Sequence, residues 1–312
     1  ERKMPIPGQG RIRAQCHLFE LIALDDGDPL VTDHHHTQAL ELAQRLGHGL
    51  AQGADRIPYL PLGEACDHSA VAVDVQKLTF GYGGGPDVLS DITFQIAPAE
   101  RVALLGPSGA GKSTLLLHLN ALLPEPLPLP SDAHRAAVTI DGLPATAEHA
   151  AEIRRRVGVL FQNPTDQLFG ATVGRDVAFG PLHLNLGDTE IQERVEQALA
   201  DVKLEAFAER DTARLSLGER KRACLAGVLA CRPGCLALDE PFANLDPRGR
   251  RQLAEILLDF PGTLILATHD LALVRELTDR IIVLDNGQLC ADAVAEVILS
   301  DDQLLKRHGL VA

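Results

Sequence analysis

The residues Gly106-Pro107-Ser108-Gly109-Ala110-Gly111-Lys112-Ser113-Thr114 fit the pattern G-x-x-x-x-G-K-(S/T). They stand between an apolar run that reads as a strand, Arg101-Val102-Ala103-Leu104-Leu105, and one that reads as a helix, Leu115 to Leu123. A strand that feeds a glycine-rich turn and then a helix is the setting in which this pattern cradles phosphate. Glycines let backbone N–H groups point inward, and the helix N-terminus adds partial positive charge. Lys112 is then expected to reach the β- and γ-phosphates of a nucleoside triphosphate, and the Ser113 hydroxyl to ligate Mg²⁺. Without those flanks the same residues would read as an ordinary strand–helix turn.

From Val71 onward, strands and helices alternate. Val71 to Val75, Ile92 to Ile96, Val157 to Phe161, Cys235 to Leu238, Gly262 to Ala267 and Arg280 to Leu284 read as strands. Such alternation predicts a mostly parallel sheet covered by helices. Asp188 to Val202 reads as an amphipathic helix, with Thr189 to Gln192 offering a capping box. Pro124 to Pro130 has proline at every second position and predicts a stiff connector.

Charge and cysteine content narrow the function classes. The 312 residues carry a net charge of −14, which argues against nucleic acid as the main partner because counterion release would be lacking. No apolar run approaches the ~18 residues of a membrane span, and no signal sequence opens the chain, so a cytosolic location is expected. The 6 cysteines show no C-x-x-C pair, so neither a zinc site nor a disulfide framework is suggested. Cys231 and Cys235 read as small buried residues flanking a turn.

Four further segments carry chemistry. Leu236-Ala237-Leu238-Asp239-Glu240 is an apolar strand ending in two carboxylates: Asp239 is placed to hold Mg²⁺, and Glu240 to polarise the attacking water. Leu215-Ser216-Leu217-Gly218-Glu219 opens a helix whose Ser216 and Gly218 can offer donors to a phosphate. One phosphate group rarely needs two such sites in one chain, so a second copy would bring this one in as the opposite jaw. Gln162 follows a strand and is placed to reach the metal or the water, while His269 ends another strand and can contact the γ-phosphate. Upstream, Tyr82 offers an aromatic face for adenine. Taken singly, two acids at a strand end or a lone histidine would more often be structural.

In this order the motifs resemble those of ABC transporter ATPase subunits, over roughly residues 71–312. By that likeness Gly106 to Thr114 is the Walker A loop, Gln162 lies in the Q-loop and Leu215 to Glu219 is the signature motif. Asp239 and Glu240 are similar to the Walker B pair, Ala243-Asn244-Leu245-Asp246 to the D-loop, His269 to the switch histidine and Tyr82 to the adenine-stacking aromatic. The resemblance implies a P-loop NTPase α/β sheet with an antiparallel edge sheet, and a helical subdomain, about Thr172 to Ala230, that carries the signature. It implies ATP and Mg²⁺ as cofactors and two ATPs sandwiched between two cassettes, the second being another copy or a paralogue. It also implies a transmembrane coupling subunit, a substrate-binding membrane subunit and a peripheral position on the cytoplasmic face of the cell membrane. The run Phe161 to Phe169, then Asp176 to Leu182 and the tail Gln303 to Leu310, looks like the cobalt/nickel and energy-coupling-factor group of importers. That likeness implies a motor for cobalt or nickel uptake, with vitamin uptake as the alternative and a soluble ABC ATPase of DNA repair or translation as the rival class. Leu217 and Glu219 depart from the Gly and Gln that the wider superfamily favours.

Residues 1–70 are expected to form a separate, unassigned segment, read as a hairpin (Cys16 to Thr32) and a helix (Thr37 to Gln52), ahead of the cassette at 71–312. Asp33-His34-His35-His36, with Cys16, His17 and His48, invites a metal-sensing reading. Three adjacent histidines cannot share one helix face, and a solvated helix start is the plainer reading.

Overall fold

In the computed structural model the described residues are 69–125, 127–129, 136–184 and 186–311. The hairpin, the helix and the histidine run expected before residue 66 lie outside them, as do parts of the proline-rich connector.

The fold is built from two sheets. Strands β1 (Val73–Phe80) and β2 (Leu89–Ile96) form an antiparallel pair, and β4 (Val138–Ile140) and β5 (Leu143–Pro144) extend it in the order β2-β1-β4-β5. On β2 the buried positions are Leu89, Ile92, Phe94 and Ile96, as expected of a strand with one face in the core. This is the antiparallel edge sheet expected from the sequence.

The second sheet has the order β10-β9-β3-β8-β7-β6. Its strands are β3 (Arg101–Leu105), β6 (Val157–Leu160), β7 (Cys235–Asp239), β8 (Thr263–Ala267), β9 (Arg280–Asp285) and β10 (Gln288–Val294). All neighbours run parallel except β9 and β10. Every residue of β7 and β8 is buried, because crossover helices cover both faces of a parallel sheet. A buried leucine such as Leu104 or Leu236 contributes ~1.5–3 kcal/mol by leaving water.

Helix α1 (Lys112–Leu119) follows β3, α2 (Ala150–Arg156) precedes β6, and α3 (Val173–His183), α4 (Asp188–Asp201) and α5 (Leu217–Leu229) form the helical layer between β6 and β7. Helices α6 (Pro247–Asp259) and α7 (Leu271–Leu277) flank β8, and α8 (Ala295–Ser300) and α9 (Asp302–Arg307) end the fold. Val173, Val177, Ala198, Leu199 and Cys224 join Leu236, Leu238 and Leu266 in one buried cluster, which seats the helical layer on the parallel sheet.

Three local expectations need correcting. Helix α1 starts at Lys112 and stops at Leu119, earlier at both ends than expected; the Asn120 side chain donates to the Val157 carbonyl, and Ala121 turns left-handed at φ 53°. Helix α4 starts at Asp188 with Gly187 as its N-cap and no side-chain cap, so no capping box forms at Thr189. Strand β10 was not expected: Asn286 (φ 47°) and Gly287 (φ 74°) make a two-residue hairpin after β9, the backbone that an Asn-Gly pair favours.

Candidate functional site

The parallel strands end side by side, and four of the five ends carry a candidate residue. Gly106 follows β3, Gln162 lies just past β6, Asp239 and Glu240 sit at the end of β7, and His269 lies just past β8. Residues far apart in sequence therefore share the carboxyl edge of one sheet, where open α/β sheets bind ligands.

The Gly106–Thr114 turn is shaped by its neighbours. A Cβ on Gly106 would run into the Leu284 carbonyl of β9, and one on Gly111 would lie 2.7 Å from Leu89 Cδ2 and 2.9 Å from the Val88 carbonyl. Gly109 (φ 85°) and Gly111 (φ 99°) are left-handed, a conformation glycine adopts without steric cost. The hairpin turn braces the loop: the Gly287 amide donates to the Ala110 carbonyl at 3.3 Å, and the Ser90 amide donates to the Gly287 carbonyl at 2.8 Å. Pro107 and Ser108 occupy the outer part of the turn, and Ser113 is half-buried at the start of α1.

Lys112 is buried, and its ammonium donates to the Gly106 carbonyl at 2.7 Å and the Pro107 carbonyl at 3.0 Å. Burial lowers its pKa, and the Glu240 and Asp239 carboxylates oppose that shift. A lysine folded over its own loop and close to two acids can exchange carbonyl acceptors for phosphate oxygens with little rearrangement. The Tyr82 hydroxyl lies 3.1 Å from the Thr114 hydroxyl. Its ring, 50% exposed, packs edge-on to Phe80, which packs edge-on to His118 of α1. Tyr82 is thus fastened to the loop helix while keeping surface free for a base.

At the end of β7, Asp239 is buried and Glu240 has left-handed backbone at φ 45°. Glu240 Oε1 lies 2.9 Å from His269 Nδ1, and the Thr268 hydroxyl donates to Glu240 Oε2 at 3.5 Å. The Glu240 side chain is largely covered while that of His269 is 71% exposed, so the pair spans the boundary between the sheet edge and solvent. The structure brings together two residues that the motifs named separately. It also adds Lys221 of α5, whose buried ammonium donates to the Glu240 carbonyl at 3.0 Å and the Pro241 carbonyl at 2.8 Å. Burial brings the Lys221 pKa down to about 8 against the opposing pull of Glu240. Gln162 is exposed just after β6, and the neighbouring loop is stapled by Gln167, which accepts from the Phe161 amide and donates to the Val159 carbonyl.

The Ser216 segment is organised differently. Ser216 caps α5 in a capping box: the Glu219 amide donates to Ser216 Oγ, while the Ser216 amide and hydroxyl both donate to Glu219 Oε2 at 2.7 Å. Those hydrogen bonds hold the Glu219 carboxyl below its ordinary pKa. Ser216 and Leu217 are exposed, and a Cβ on Gly218 would find only Leu245 at 3.7 Å. Leu245 precedes Asp246, which caps α6 by accepting from the Gly249 amide at 2.8 Å. Ser216, Gly218 and Asp246 therefore share one exposed corner, and their hydrogen bonds are local, as are those of Lys112.

Known proteins resemble this chain in sequence and in fold. The family described as "ABC transporter" matches residues 89–243. A putative ABC transporter ATP-binding protein of Streptomyces avermitilis is 44% identical over 250 residues, covering 80% of this chain and 92% of the relative. The energy-coupling factor transporter ATP-binding protein EcfA of Carboxydothermus hydrogenoformans is 44% identical over 245 residues, covering 78% and 87%. Among solved structures, cbiO1 of Clostridium perfringens, part of the ABC transporter complex cbiONQ, aligns with a TM-score of 0.64 at 31% identity, covering 76% of this chain and 94% of that one. The cassette MJ0796, a dimer in a post-hydrolysis state bound to ADP and Pi, aligns with a TM-score of 0.62 at 25% identity, covering 72% and 98%. The chain belongs to the ABC transporter family, as an ATP-binding subunit that hydrolyses ATP.

Proposed function

We propose that this chain is the motor of an ABC importer, acting as one half of a cassette dimer on a membrane partner, with cobalt or nickel ions as the transported solute. The observation that carries the motor reading is the contact between Glu240 and His269 at the sheet edge shared with the phosphate loop. The loop amides and Lys112 hold the β- and γ-phosphates, and Tyr82 stacks on the adenine. Ser113, Asp239 and Gln162 form an oxygen-donor set of the kind Mg²⁺ takes. The metal, when bound, would neutralise charge between the β- and γ-phosphates. Glu240 accepts a proton from the attacking water, and His269 holds the carboxylate and contacts the γ-phosphate. Ser216, Gly218 and Asp246 contribute to the ATP held by the partner cassette, which is a second copy or a paralogue.

No helix among the described residues is long and apolar enough to cross a membrane; in this reading the chain works through partners at the cytoplasmic face of the cell membrane. The coupling subunit docks near Gln162 and Phe169. Phe169 is 38% exposed and packs edge-on to Phe179, and the buried Asp176 carboxylate accepts from the Phe169 and Gly170 amides at 2.9 and 2.7 Å. The resemblance of Phe161 to Phe169 to cobalt/nickel importers supports the metal reading. A second reading is vitamin uptake through an energy-coupling-factor transporter; relatives named as energy-coupling factor transporter ATP-binding proteins support that transporter type.

Glu240→Gln is expected to lower turnover by ~10²–10⁴-fold, the usual worth of a general base, while ATP binding persists. Purification of that variant with ATP from detergent-solubilised membranes should recover a small multi-span coupling protein and a substrate-binding membrane subunit, whose identity separates metal from vitamin. Parental hydrolysis would refute the base, and recovery of soluble partners alone would refute the importer.

A further inference from the structure

Glu240 places its carboxylate from a backbone conformation that a side-chain-bearing residue does not hold unaided. Its φ of 45° is left-handed, and such a residue persists only when its surroundings over-determine it, at a cost of ~1–3 kcal/mol. Four hydrogen bonds supply that restraint. The Glu240 amide donates to the Ala267 carbonyl of β8 at 2.9 Å, and the Ala243 amide donates to the Glu240 carbonyl at 3.2 Å. The other two come from one side chain, the ammonium of Lys221, to the carbonyls of Glu240 and Pro241. Lys221 is only 2% exposed. Burying an ammonium is costly unless it is paired, yet no carboxylate lies within ion-pair distance of this one among the described residues; two backbone carbonyls take its N–H groups instead. The lysine is thus committed to the backbone at one place, the turn that aims the base.

Its position along α5 gives this commitment a second consequence. Ser216, the N-cap, stands five residues before Lys221, so the exposed corner and the strut belong to one short rigid helix. We propose that Lys221 is a positioning residue that ties the start of α5 to the Glu240 backbone, so that seating Ser216 against the partner's ATP sets the carboxylate that takes the proton from the water attacking its own ATP. The two ATP sites of the dimer communicate through this lysine. The proposal rests on the reading of Glu240 as base and Ser216 as phosphate contact.

The test compares the parent with Lys221→Met and Lys221→Gln in the intact cassette complex, measuring kcat, the Hill coefficient for ATP and the ATP dissociation constant. Met fills the buried space without donors, and Gln, being shorter, can hold only one carbonyl. A base displaced by about 1 Å loses on the order of 10²-fold in rate. Lys221→Met should therefore show a kcat lowered to about that extent, a Hill coefficient reduced to one and an unchanged ATP dissociation constant, with Lys221→Gln between it and the parent. Parental kcat and Hill coefficient in either folded variant would overturn the proposal. So would a weakening of ATP binding that accounts for the whole loss. If Lys221→Met does not fold, Lys221→Gln decides by the same criteria. A Glu240→Gln control with parental turnover would locate the failure in the base assignment and take the strut with it.

Discussion

The phosphate loop and the Ser216 corner are both places where a helix begins, yet they are held in opposite ways. The loop is gripped by neighbours: Leu284 crowds Gly106, Leu89 and Val88 crowd Gly111, and the Gly287 turn bonds Ala110. Lys112 is 8% exposed. The Ser216 corner is held chiefly by its reciprocal bonds with Glu219, whose carboxylate also accepts from Arg210 at 3.4 Å, and leaves Ser216 and Leu217 exposed. Tertiary packing builds the first site in a single chain. In the proposed dimer the second is an unfinished surface, which local capping keeps in shape for another cassette to cover.

If that contrast is right, damage to the loop should reach the whole binding event, and damage to the corner should spare it. Lys112→Ala should abolish ATP binding, measured by titration calorimetry, because a loop left with neutral amides lacks the point charge for the β- and γ-phosphates. Gly106→Ala comes next. Its Cβ cannot coexist with the Leu284 carbonyl, so the loop or β9 must move, and overpacking of this kind costs ~1–3 kcal/mol. A lowered melting temperature together with weakened ATP binding is expected; an unchanged melt would mean that the neighbours do not grip the loop as described.

Ser216→Ala should lose a helix cap worth ~0.5–2 kcal/mol, seen by denaturant titration, and should lower turnover while leaving ATP binding intact. The smallest effect belongs to Glu219. Its folded pKa is depressed chiefly by the Ser216 hydrogen bonds, so its contribution to stability is present above the unfolded pKa, ~4.3, and lost as pH falls through the lower folded value. Glu219→Gln should flatten the pH dependence of the melting temperature below about that pH. The group is partly solvated, so the change should be slight.

The same contrast governs what could be read from the sequence. Strand ends with Asp239, Glu240 and His269 were legible because a parallel strand is a short apolar run and its chemistry follows it directly. The parallel sheet was legible from alternation, whereas the antiparallel edge sheet and the helical layer were expected only through the family resemblance that the ordered motifs carry. Capping was misplaced: Thr189 offers the same pattern as Ser216, but Gly187 takes the N-cap two residues earlier, whereas Ser216 follows Leu215, which is packed in the core. The turn at Asn286-Gly287, a strong local signal, was passed over because the strand after it alternates half-buried with exposed residues and shows no apolar run. Lys221 was invisible for a deeper reason. Its carbonyl partners lie about twenty residues away, and only tertiary packing turns a lysine in the run Arg220-Lys221-Arg222 inward.

Mixing two damaged chains tests most directly whether the loop of one cassette works with the Ser216 corner of another. Lys112→Ala keeps an intact corner, and Ser216→Ala keeps an intact loop. Combined in the assembled complex, they should hydrolyse more ATP than the two variants do separately, because one composite site then has a whole loop and a whole corner. They should still hydrolyse less than the parent, because the chain that supplies the loop lacks its own Ser216. A mixture no more active than the sum of its parts, alongside an active parent, would contradict the account.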